Sequence, residues 1–421
     1  MKVLHVLYQS LPDRAGSSIR SRDIVASQKA IGIEPVVITS PFQKAQKAGV
    51  SSEQIEDVLY YRTYSGQDDE VVSEKDSRFV VKLRKFFRLF DFVSQLKKVV
   101  KHEKPAVIHA HATFFCGLSA TYIGKKFSIP VVYEVRSLWE ERQLKGNPGI
   151  KTRLQVALIR SLESLAMNKA KHVIPINKNL KDNILSRGIP EHKISIVANA
   201  VNLDRIPVLN NQREALFTFA YIGSISPIEG LDELCVQIAK MNANRPCQLL
   251  IYGGGVAKTD LERLVKENAW DNIHFMGSVN PSEVYKAYER VQVIVNPRIP
   301  SKITHSVTPL KPLEAMGYQK LVLASNVGGM KELIENEVTG FLFEAAHSED
   351  LYRKLIYIYD EWSVTDGFAI INRDELIRDQ DIKINKAHKD YAFESDYFNN
   401  IMISKLQAYR YFHLRVDSSL L

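Results

Sequence analysis

The hydrophobic pattern of this chain repeats one alternation from end to end, in which short apolar runs are separated by longer segments with helical spacing. Strands are predicted in the first half at Lys2–Tyr8, Pro35–Thr39, Val107–Ala110, Pro130–Val135, His172–Ile176 and Ile194–Val197. Strands are predicted in the second half at Phe217–Ile222, Gln248–Tyr252, Ile273–Met276, Val291–Asn296, Leu321–Ala324 and Phe341–Phe343. Helical spacing occurs between them, for example at Lys151–Ala170, Asp232–Asn242 and Asp260–Asn268. This alternation predicts parallel sheets that are covered by helices on both faces.

The alternation falls into two series, which are separated by a polar stretch at residues 202–214. The pattern therefore predicts an α/β protein of two doubly wound, Rossmann-like domains, at residues 1–205 and 206–395. The end of the chain, about residues 396–421, predicts a helix that packs back on the first domain. Ligands of such sheets bind at the carboxyl ends of the strands, so a cleft between two facing domains is the expected site.

The composition narrows the class of protein. The chain has 421 residues, of which 45% are hydrophobic and 25% charged, as in an ordinary globular protein. Its three cysteines are scattered without metal-ligand spacing, which is typical of a reducing compartment. The first residues read as a strand rather than a signal peptide, and no apolar run is long enough to span a bilayer. We therefore expect a cytoplasmic protein.

Most of the net charge of +8 comes from residues 78–104, where nine Lys and Arg face two acids, an excess of seven. Phe79, Leu83, Phe86, Phe90 and Val93 recur there at helical spacing and predict an amphipathic helix. One interpretation is a helix that packs on its own domain, and another is a helix that binds anionic lipid. Nucleic acid is the weakest option, because no recognised motif accompanies the charge. The cations assigned to the membrane interpretation are Lys82, Arg84, Lys85 and Arg88.

The segment from Val307 to Gly317 combines turn-forming prolines with charged groups. Thr308 and Pro309 suit the start of a helix, and the amide groups of a helix start attract anions. Lys311 adds a positive charge, and Glu314 adds an acceptor suited to a ribose diol. The segment predicts a grip on a nucleoside diphosphate, and the alternative is a helix that is merely well capped.

Further polar groups follow the predicted strands. The first strand leads to a loop with Gly16 and Arg20, and the strand at 107–110 ends in His109 and His111. Arg136 and Glu140 follow the strand at 130–135. In the second half, strands are followed by Gly223–Gly230, by Gly253–Gly255 and by a loop that contains Arg298 and Lys302. Several glycine-rich turns at strand ends favour a ligand of nucleotide size over ordinary turns.

These strings together resemble the family-4 retaining glycosyltransferases of the GT-B fold, over roughly residues 1–345. The resemblance is closest to bacterial exopolysaccharide members, including those that accompany exosortase systems. It rests on the Gly16 loop followed by these strings, in order: His109-Ala110-His111, Asn199-Ala200-Val201-Asn202, Tyr221-Ile222-Gly223, Gly253-Gly254-Gly255, Phe275-Met276-Gly277, Leu313-Glu314-Ala315-Met316, and Ala324-Ser325-Asn326-Val327-Gly328-Gly329.

The resemblance implies transfer of an α-linked sugar from a nucleotide donor with retention and without a metal. The second half would bind the donor and the first half the acceptor, with His111 beside the donor sugar and Glu314 on its ribose. We expect His111 and Lys311 to be catalytic, and Arg20, Arg136 and Glu140 to lie on the acceptor side. Donor-binding residues would be Gly16, Gly223, Ser224, Gly254, Arg298, Lys302, Leu310, Leu313 and Glu314.

Three positions depart from the family pattern. The first glutamate of its E-x7-E motif falls at Ser306, and an Arg and a Lys of the diphosphate loop fall at Ser224 and Glu229. Lys311, Lys302 and Arg298 are candidates to supply the missing charge. These departures leave the identity of the donor open.

The sequence thus predicts a cytoplasmic or peripheral inner-membrane glycosyltransferase that builds a bacterial surface polysaccharide from a nucleotide sugar and a glycan or lipid-linked acceptor. One alternative is a non-catalytic nucleotide-sugar-binding or assembly subunit, and another is a nucleotide-sugar epimerase of the same fold. A glycoside hydrolase is disfavoured because no pair of facing carboxylates is evident. No cofactor and no nucleic-acid partner are expected.

Overall fold

The computed structural model describes residues 1–13, 15–43, 50–64, 78–111, 113–141, 149–201, 203–207, 209 and 215–362, without the side chains of 78–87, 204 and 281. These residues fall into two compact units, which meet in sequence between Ala198 and Asn199. The predicted boundary lay between residues 205 and 206. The predicted C-terminal helix at 396–421 lies outside the described residues.

The first unit is built on a seven-stranded sheet. Its strands are β1 (Lys2–Leu7), β2 (Glu34–Thr39), β3 (Ser52–Ile55), β4 (Val58–Arg62), β5 (Val107–His111), β6 (Val131–Val135) and β7 (His172–Pro175). Their spatial order is β3-β4-β2-β1-β5-β6-β7, parallel throughout except for the antiparallel pair β3 and β4. Its helices are α1 (Gly16–Ala30), α2 (Arg78–Glu103), α3 (Phe114–Phe127), α4 (Ile150–Lys169) and α5 (Lys178–Ser186).

The second unit is built on a six-stranded parallel sheet. Its strands are β8 (Phe217–Ile222), β9 (Cys247–Tyr252), β10 (Ile273–Gly277), β11 (Val293–Asn296), β12 (Leu321–Ser325) and β13 (Phe341–Phe343), in the order β10-β9-β8-β11-β12-β13. Its helices are α6 (Leu231–Asn242), α7 (Lys258–Glu267), α8 (Val284–Glu289), α9 (Lys302–Ser306), α10 (Lys311–Gly317), α11 (Gly328–Lys331) and α12 (Ser348–Asp360). The two doubly wound, Rossmann-like units confirm the predicted fold class.

Both sheets reverse their strand order once. The reversal falls between β1 and β5 in the first unit and between β8 and β11 in the second. At such a point the connections leave to opposite faces of the sheet, which opens a crevice at the carboxyl ends of the two strands. The fold therefore gives each unit one preferred place for a ligand.

Buried strands explain why the pattern was readable. Every residue of β5, β6, β11 and β12 is buried, as parallel strands covered on both faces require. Leu4, Val36, Ile108 and Val131 pack with helix residues into the main core of the first unit. The second unit has two such cores, one on each face of its sheet.

One strand prediction was wrong, and one hairpin was not predicted. Ile194–Val197 makes a single bridge, from Ile194 to Val173, and forms no strand. The hairpin of β3 and β4 was missed because its turn residues, Glu56 and Asp57, both adopt positive φ, at 49° and 58°. That turn is usually written with Asn and Gly, so the sequence carries no hairpin signal there.

The basic helix forms as α2, but its buried face differs from the prediction. Phe92, Leu96 and Val100 enter the core, whereas Phe90 of the predicted stripe is 59% exposed. Val93 packs at the edge of the core, and the side chains of Phe79, Leu83 and Phe86 lie outside the description. The same holds for Lys82, Arg84 and Lys85, whereas the Arg88 guanidinium lies 5.9 Å from the Phe42 ring. Membrane binding by these four cations stays a prediction.

A buried carboxyl ties α4 to its neighbours in the first unit. Glu163 accepts a hydrogen bond of 2.5 Å from the Tyr133 hydroxyl and one of 2.8 Å from the Phe114 N–H, which begins α3. Burial raises the pKa of Glu163 to about 7, although both hydrogen bonds oppose that shift.

We predict that stability falls between about pH 5 and pH 7 and that Glu163→Gln removes this fall. The folded state holds the proton of Glu163 up to about pH 7, whereas an unfolded Glu loses it near pH 4.3, so rising pH favours unfolding across that window. The fall should be on the order of 3 kcal/mol, since each pKa unit corresponds to about 1.4 kcal/mol. Urea unfolding of both proteins at several pH values measures it, and an equal fall in the variant contradicts the assignment.

Candidate active site

The crevice of the first unit holds a buried network that the strand registers assemble. His5 on β1 lies opposite His109 on β5, and His111 on β5 lies opposite Glu134 on β6. Side chains two residues apart on a strand share a face, so all four groups meet on one side of the sheet. His5, His109 and Glu134 have no exposed surface, and His111 is 2% exposed.

Two of the three imidazoles of the network, those of His5 and His111, have partners at both ring nitrogens. His5 Nδ1 lies 2.9 Å from His111 Nε2, and His5 Nε2 lies 2.8 Å from Gln28 Oε1. His111 Nδ1 lies 2.8 Å from Glu134 Oε2 and 2.6 Å from Arg136 Nη2. Burial, followed by the charges of His109 and Arg136, holds the pKa of His111 well below its usual value. His111 is therefore a neutral, fixed imidazole at the end of β5.

Two arginines converge on the carboxylate of Glu134. Arg20 on α1 donates to Oε1 from Nε at 3.0 Å and from Nη2 at 2.7 Å, while Arg136 Nη2 lies 3.2 Å from Oε2. Arg136 also donates to the Ser21 hydroxyl and the Ser17 carbonyl, both at 2.8 Å. The structure thus brings together His111, Arg20 and Arg136, which were predicted as separate site residues.

Two other predicted residues of this unit lie apart from the network. Gly16 is the exposed first residue of α1. Glu140 is 2% exposed and forms an ion pair with Arg187, beside the end of α5. An ion pair of that burial is a structural contact, so acceptor binding by Glu140 is disfavoured by its surroundings.

Sequence reasoning missed His5, Gln28 and Glu134 as members of the site. Their signal was present, because His5 and Glu134 are ionisable residues inside otherwise apolar strands. A buried charge must find a partner, so such a residue points to a network even before the partner is known.

The three histidines of the network also form the metal-binding candidate of the described residues, since one ring nitrogen from each lies within 4.8 Å of the others. The surroundings fit a metal ion poorly. The guanidinium of Arg136 contacts His111 Nδ1, and the two nitrogens of His5 already face hydrogen-bond partners. We therefore describe the cluster as a hydrogen-bonded network, and metal-independent chemistry stays a prediction.

The crevice of the second unit lies between the ends of β8 and β11 and holds a second ionic cluster. Lys311 Nζ lies 3.0 Å from Glu229 Oε2, and Arg298 donates to the same carboxylate from Nη2 at 3.1 Å and from Nε at 3.3 Å. Lys311 Nζ also contacts the Tyr221 hydroxyl and lies 4.4 Å from the ring centre. Arg298 is 8% exposed, and its Nη1 has no hydrogen-bond partner.

The electrostatics of this cluster favour an added anion. Two cations share one carboxylate, so the cluster keeps a net charge of about +1. Burial would raise the pKa of Glu229, but the charges of Lys311 and Arg298 outweigh burial and lower it. Burial lowers the pKa of Lys311 to about 8, although Glu229 opposes that shift. An anion placed here would raise the pKa of Lys311 and engage the open Nη1 of Arg298.

Glycine backbone forms the wall of this crevice. Gly223, at φ 151°, leaves room for Lys311, whose Cε would lie 2.3 Å from a Cβ at that position. Gly253, at φ 134°, packs so closely that a Cβ would lie 1.9 Å from the carbonyl oxygen of Gly223. Gly254 accepts a hydrogen bond of 2.8 Å from the Ile225 N–H, and Ser224 is exposed beside it. The predicted glycine turns therefore surround the ionic cluster.

The helix that carries Lys311 begins later than predicted. It runs Lys311–Gly317, and its first backbone bond joins Glu314 N–H to the Leu310 carbonyl at 3.0 Å. A helix capped by Thr308 would need the amide of residue 312, which is a proline and has no N–H. The Thr308 carbonyl instead accepts a bond of 2.6 Å from Asn199. The predicted helix start at Thr308 is therefore wrong, and anion binding at Lys311 stays a prediction.

The remaining predicted donor residues surround this short helix. Glu314 is half-buried and hydrogen-bonds the buried Tyr288, whose pKa burial and Glu314 together raise well above normal. Leu313 is buried, Leu310 is half-buried and Lys302 is exposed on α9. Ser306, at the position of the missing motif glutamate, is 6% exposed and donates to the Ile303 carbonyl at 3.1 Å.

Two segments of this chain are similar to known glycosyltransferase families. Residues 16–205 match the model described as Glycosyltransferase Family 4, and residues 217–361 match Glycosyl transferases group 1. An uncharacterized glycosyltransferase of Methanocaldococcus jannaschii is 24% identical over 73% of this chain and 76% of its own. The capsular polysaccharide biosynthesis glycosyltransferase CapM of Staphylococcus aureus is 23% identical over 68% of this chain and 76% of its own.

Solved structures show the same fold. Sucrose-phosphate synthase of Thermosynechococcus elongatus superposes with a TM-score of 0.72 at 18% identity, over 99% of this chain and 100% of that chain. HepE of Anabaena, crystallised with UDP and glucose, gives 0.66 at 14% identity, over 90% and 95%. These likenesses show the GT-B fold, and the family matches show that each unit is similar to glycosyltransferases.

We predict that Glu134→Gln lowers the free energy of unfolding by about 3–5 kcal/mol, because two buried guanidinium groups lose the carboxylate they share. The matched control is Glu191→Gln, which breaks the exposed pair with Lys181 at 2.8 Å and should leave stability nearly unchanged. Urea unfolding measures both. Equal losses in the two variants would show that burial of the Glu134 pair adds nothing.

Proposed function

We propose that the protein is a retaining glycosyltransferase that moves a sugar from a nucleotide-sugar donor to a glycan or lipid-linked acceptor in bacterial surface polysaccharide synthesis. The observation that carries the proposal is the pair Lys311 and Arg298 in the crevice of the second unit, held by one buried carboxylate and walled by bare glycine backbone. A diphosphate is the common anion of that size in sugar transfer.

In the proposed transfer, the main task of the second unit is to stabilise the departing diphosphate. Negative charge grows on the diphosphate as the sugar leaves, and fixed cations stabilise that charge without reorganising at the moment of reaction. Glu229 fixes both cations, since it contacts Lys311 Nζ and two nitrogens of Arg298. Glu314, on the first helical turns after Lys311, offers the carboxylate for a ribose diol.

His111 is better placed to shape the first unit than to touch a reacting atom. Its two ring nitrogens face His5, Glu134 and Arg136, and 2% of its surface is exposed. We therefore propose that His111 fixes the end of β5, while the neighbouring loops contact the acceptor.

Two similarities support a nucleotide donor and a glycan product. HepE of Anabaena was crystallised with UDP and glucose, and CapM of Staphylococcus aureus is named for capsular polysaccharide biosynthesis. We propose further that the sugar is transferred with retention from a nucleotide donor and that the protein is peripheral on the inner membrane.

One observation favours a non-catalytic nucleotide-sugar-binding subunit as the second candidate. Glu229 is an acid at a position where the family pattern has a cation, and Ser306 is a buried hydroxyl where that pattern has an acid. Turnover separates the two candidates, because both bind a nucleotide sugar but the subunit releases no nucleoside diphosphate in the presence of acceptors. A nucleotide-sugar epimerase would turn over without any acceptor.

We predict that Lys311→Ala lowers kcat/KM for sugar transfer by about 10²-fold, the effect of losing one preorganised charge contact at a leaving group. The matched control is Lys266→Ala, which removes an exposed cation at the last turn of α7 and should leave kcat/KM unchanged. A panel of nucleotide sugars identifies the donor first. Wild-type turnover in the Lys311 variant would place the diphosphate elsewhere.

The pH profile gives the same variant a second readout. In the protein without a bound anion the pKa of Lys311 is about 8, and a bound anion raises that pKa. The affinity of the wild type for UDP should therefore fall as pH rises through about 8. Calorimetry with UDP from about pH 6 to about pH 9 measures this, because that range lies on both sides of the pKa of Lys311. Lys311→Ala should be weaker at every pH and should lack that step.

We predict that Glu314→Gln weakens UDP binding by about 1.5–3 kcal/mol, the range for hydrogen bonds to charged groups. Deoxy-UDP, which lacks the 2′-hydroxyl, is the matched probe, because the variant should bind UDP and deoxy-UDP almost equally. Unchanged UDP affinity in the variant would limit Glu314 to its contact with Tyr288.

A further inference from the structure

The helix α4 of the first unit is buried over only part of its length. Its first buried residue is Glu163, followed by Ala166 and Met167. Residues 150–162, more than three turns, contain no buried residue. This half of α4 therefore presents most of its surface outward.

The outward face of α4 is apolar. Ile150, Leu154, Leu158 and Leu165 are 78%, 66%, 61% and 42% exposed. Steps of four, four and seven residues keep these side chains on one stripe, since each residue advances about 100° around a helix. The stripe lies opposite the face that holds Glu163 and Ala166. Four large exposed side chains in line are a patch rather than the scattered exposure that soluble proteins show.

Positive charges flank this stripe on both sides. By the same 100° step, Lys151 and Lys169 fall on one side, and Arg153 and Arg160 fall on the other. The acid of α4, Glu163, is buried and hydrogen-bonded to Tyr133. An apolar stripe edged by Lys and Arg is the pattern of a helix that lies in the plane of a membrane surface, with its long cationic side chains reaching the headgroups.

The neighbouring helices continue the same chemistry. α3 packs between α2 and α4. It exposes Tyr122, at 59%, together with Lys125 and Lys126. α2 exposes Phe90, at 59%, with Lys98 and Lys101. Among the described side chains of the three helices, Asp91 is the exposed acid. The three-helix layer is therefore basic and apolar on its outer side.

A pocket of 430 Å³ adjoins the stripe. It lies between the end of α4 and Arg187, the residue that follows α5, and is lined by Arg160, Ser161, Ser164, Leu165, Asn168 and Arg187. The Arg187 side chain is held by Glu140, and its Nη1 has no hydrogen-bond partner. The pocket offers space for an anionic headgroup beside the leucines.

The positive charge of the outward face of α4 indicates which kind of partner binds there. A second copy of α4 packed on the first would bring its Lys and Arg rows against each other with no exposed acid on the helix, which costs free energy. An anionic bilayer satisfies both the apolar stripe and its cations. Neutral protein surfaces would satisfy the stripe alone.

We propose that α4 lies flat on an anionic lipid bilayer, with Ile150, Leu154 and Leu158 at the depth of the headgroup boundary and the outer side of α2 and α3 facing the same surface. The proposal does not depend on the proposed transfer reaction. It places the principal contact on α4, whereas the sequence pattern placed it on α2.

The test is sedimentation of the full chain with phosphatidylcholine vesicles that contain or lack phosphatidylglycerol. Wild type should bind the anionic vesicles, bind neutral ones weakly and dissociate as salt rises. The partition coefficient of the double variant Leu154→Gln with Leu158→Gln should be lower than that of wild type by about tenfold or more. Lys151→Gln with Arg153→Gln and Arg160→Gln should lose roughly 100-fold, at about fivefold for each cation. All five changed residues are exposed, so circular dichroism should be unchanged.

Matched controls lie in the second unit. Val256→Gln replaces an apolar residue that is 86% exposed, and Lys258→Gln with Arg263→Gln and Lys266→Gln removes three cations from α7. Both should bind vesicles like wild type. Equal loss in these controls would reduce the effect to net charge or general polarity and overturn the assignment to α4.

Three further results would overturn the proposal. The first is wild-type binding that is equal on neutral and anionic vesicles or absent from both. The second is a dimer in ultracentrifugation that Leu154→Gln with Leu158→Gln dissociates, which would make a second copy the occupant. The third is full binding by the α4 variants together with loss of binding by Lys82, Arg84, Lys85 and Arg88 all changed to Gln, which would return the contact to α2.

Discussion

The reversal of strand order in each sheet is the constraint on which the candidate sites depend. Between β1 and β5, and again between β8 and β11, neighbouring strands send their connections to opposite faces. Backbone hydrogen bonding within the sheet fixes the strands, so the groups at the reversal are held by the ladder itself. The register then decides which side chains meet. It sets His5 beside His109 and His111 beside Glu134 in the first unit.

The two crevices hold buried cations by the same arrangement of charges. In each, one buried glutamate bridges two cations: Glu134 with Arg20 and Arg136, and Glu229 with Arg298 and Lys311. A lone cation at either place would lose its hydration without compensation, and a balanced pair would leave no attraction for an anion. Two cations on one carboxylate are rigid and still carry about one positive charge.

Features that depend on neighbouring residues could be predicted from the sequence, whereas contacts between residues far apart along the chain could not. Alternating apolar runs reflect local burial, so nearly all strands and the doubly wound class could be predicted. Arg298 was selected because it follows a strand, and Lys311 because it lies in a segment that predicted a helix start. The start of α10 failed for a local reason that could have been used, namely that Pro312 has no amide to offer Thr308. The bridging roles of Glu134 and Glu229 could not be read, because each carboxylate meets partners far along the chain, such as Arg20 and Lys311. Exposure on α4 is likewise a property of packing, and Leu154 and Leu158 resemble core residues in sequence.

The departures from the family pattern become coherent when they are taken together. An acid is absent at Ser306, where the hydroxyl instead bonds its own helix, and an acid is present at Glu229, where a cation would be expected. The crevice therefore has one buried carboxylate, at Glu229 rather than at the position of Ser306 where the family pattern places one. With Glu229 there, the cations must come from Lys311 and Arg298. Burial lowers the pKa of Lys311 to about 8, and an anion beside the amine would raise that pKa. On the proposed function, the group that stabilises a leaving diphosphate would be most charged when the diphosphate is present, so the charge of the site would depend on its occupancy. The donor sugar would then lack the carboxylate partner that the family pattern places at Ser306, and its recognition would rest on other groups of the site.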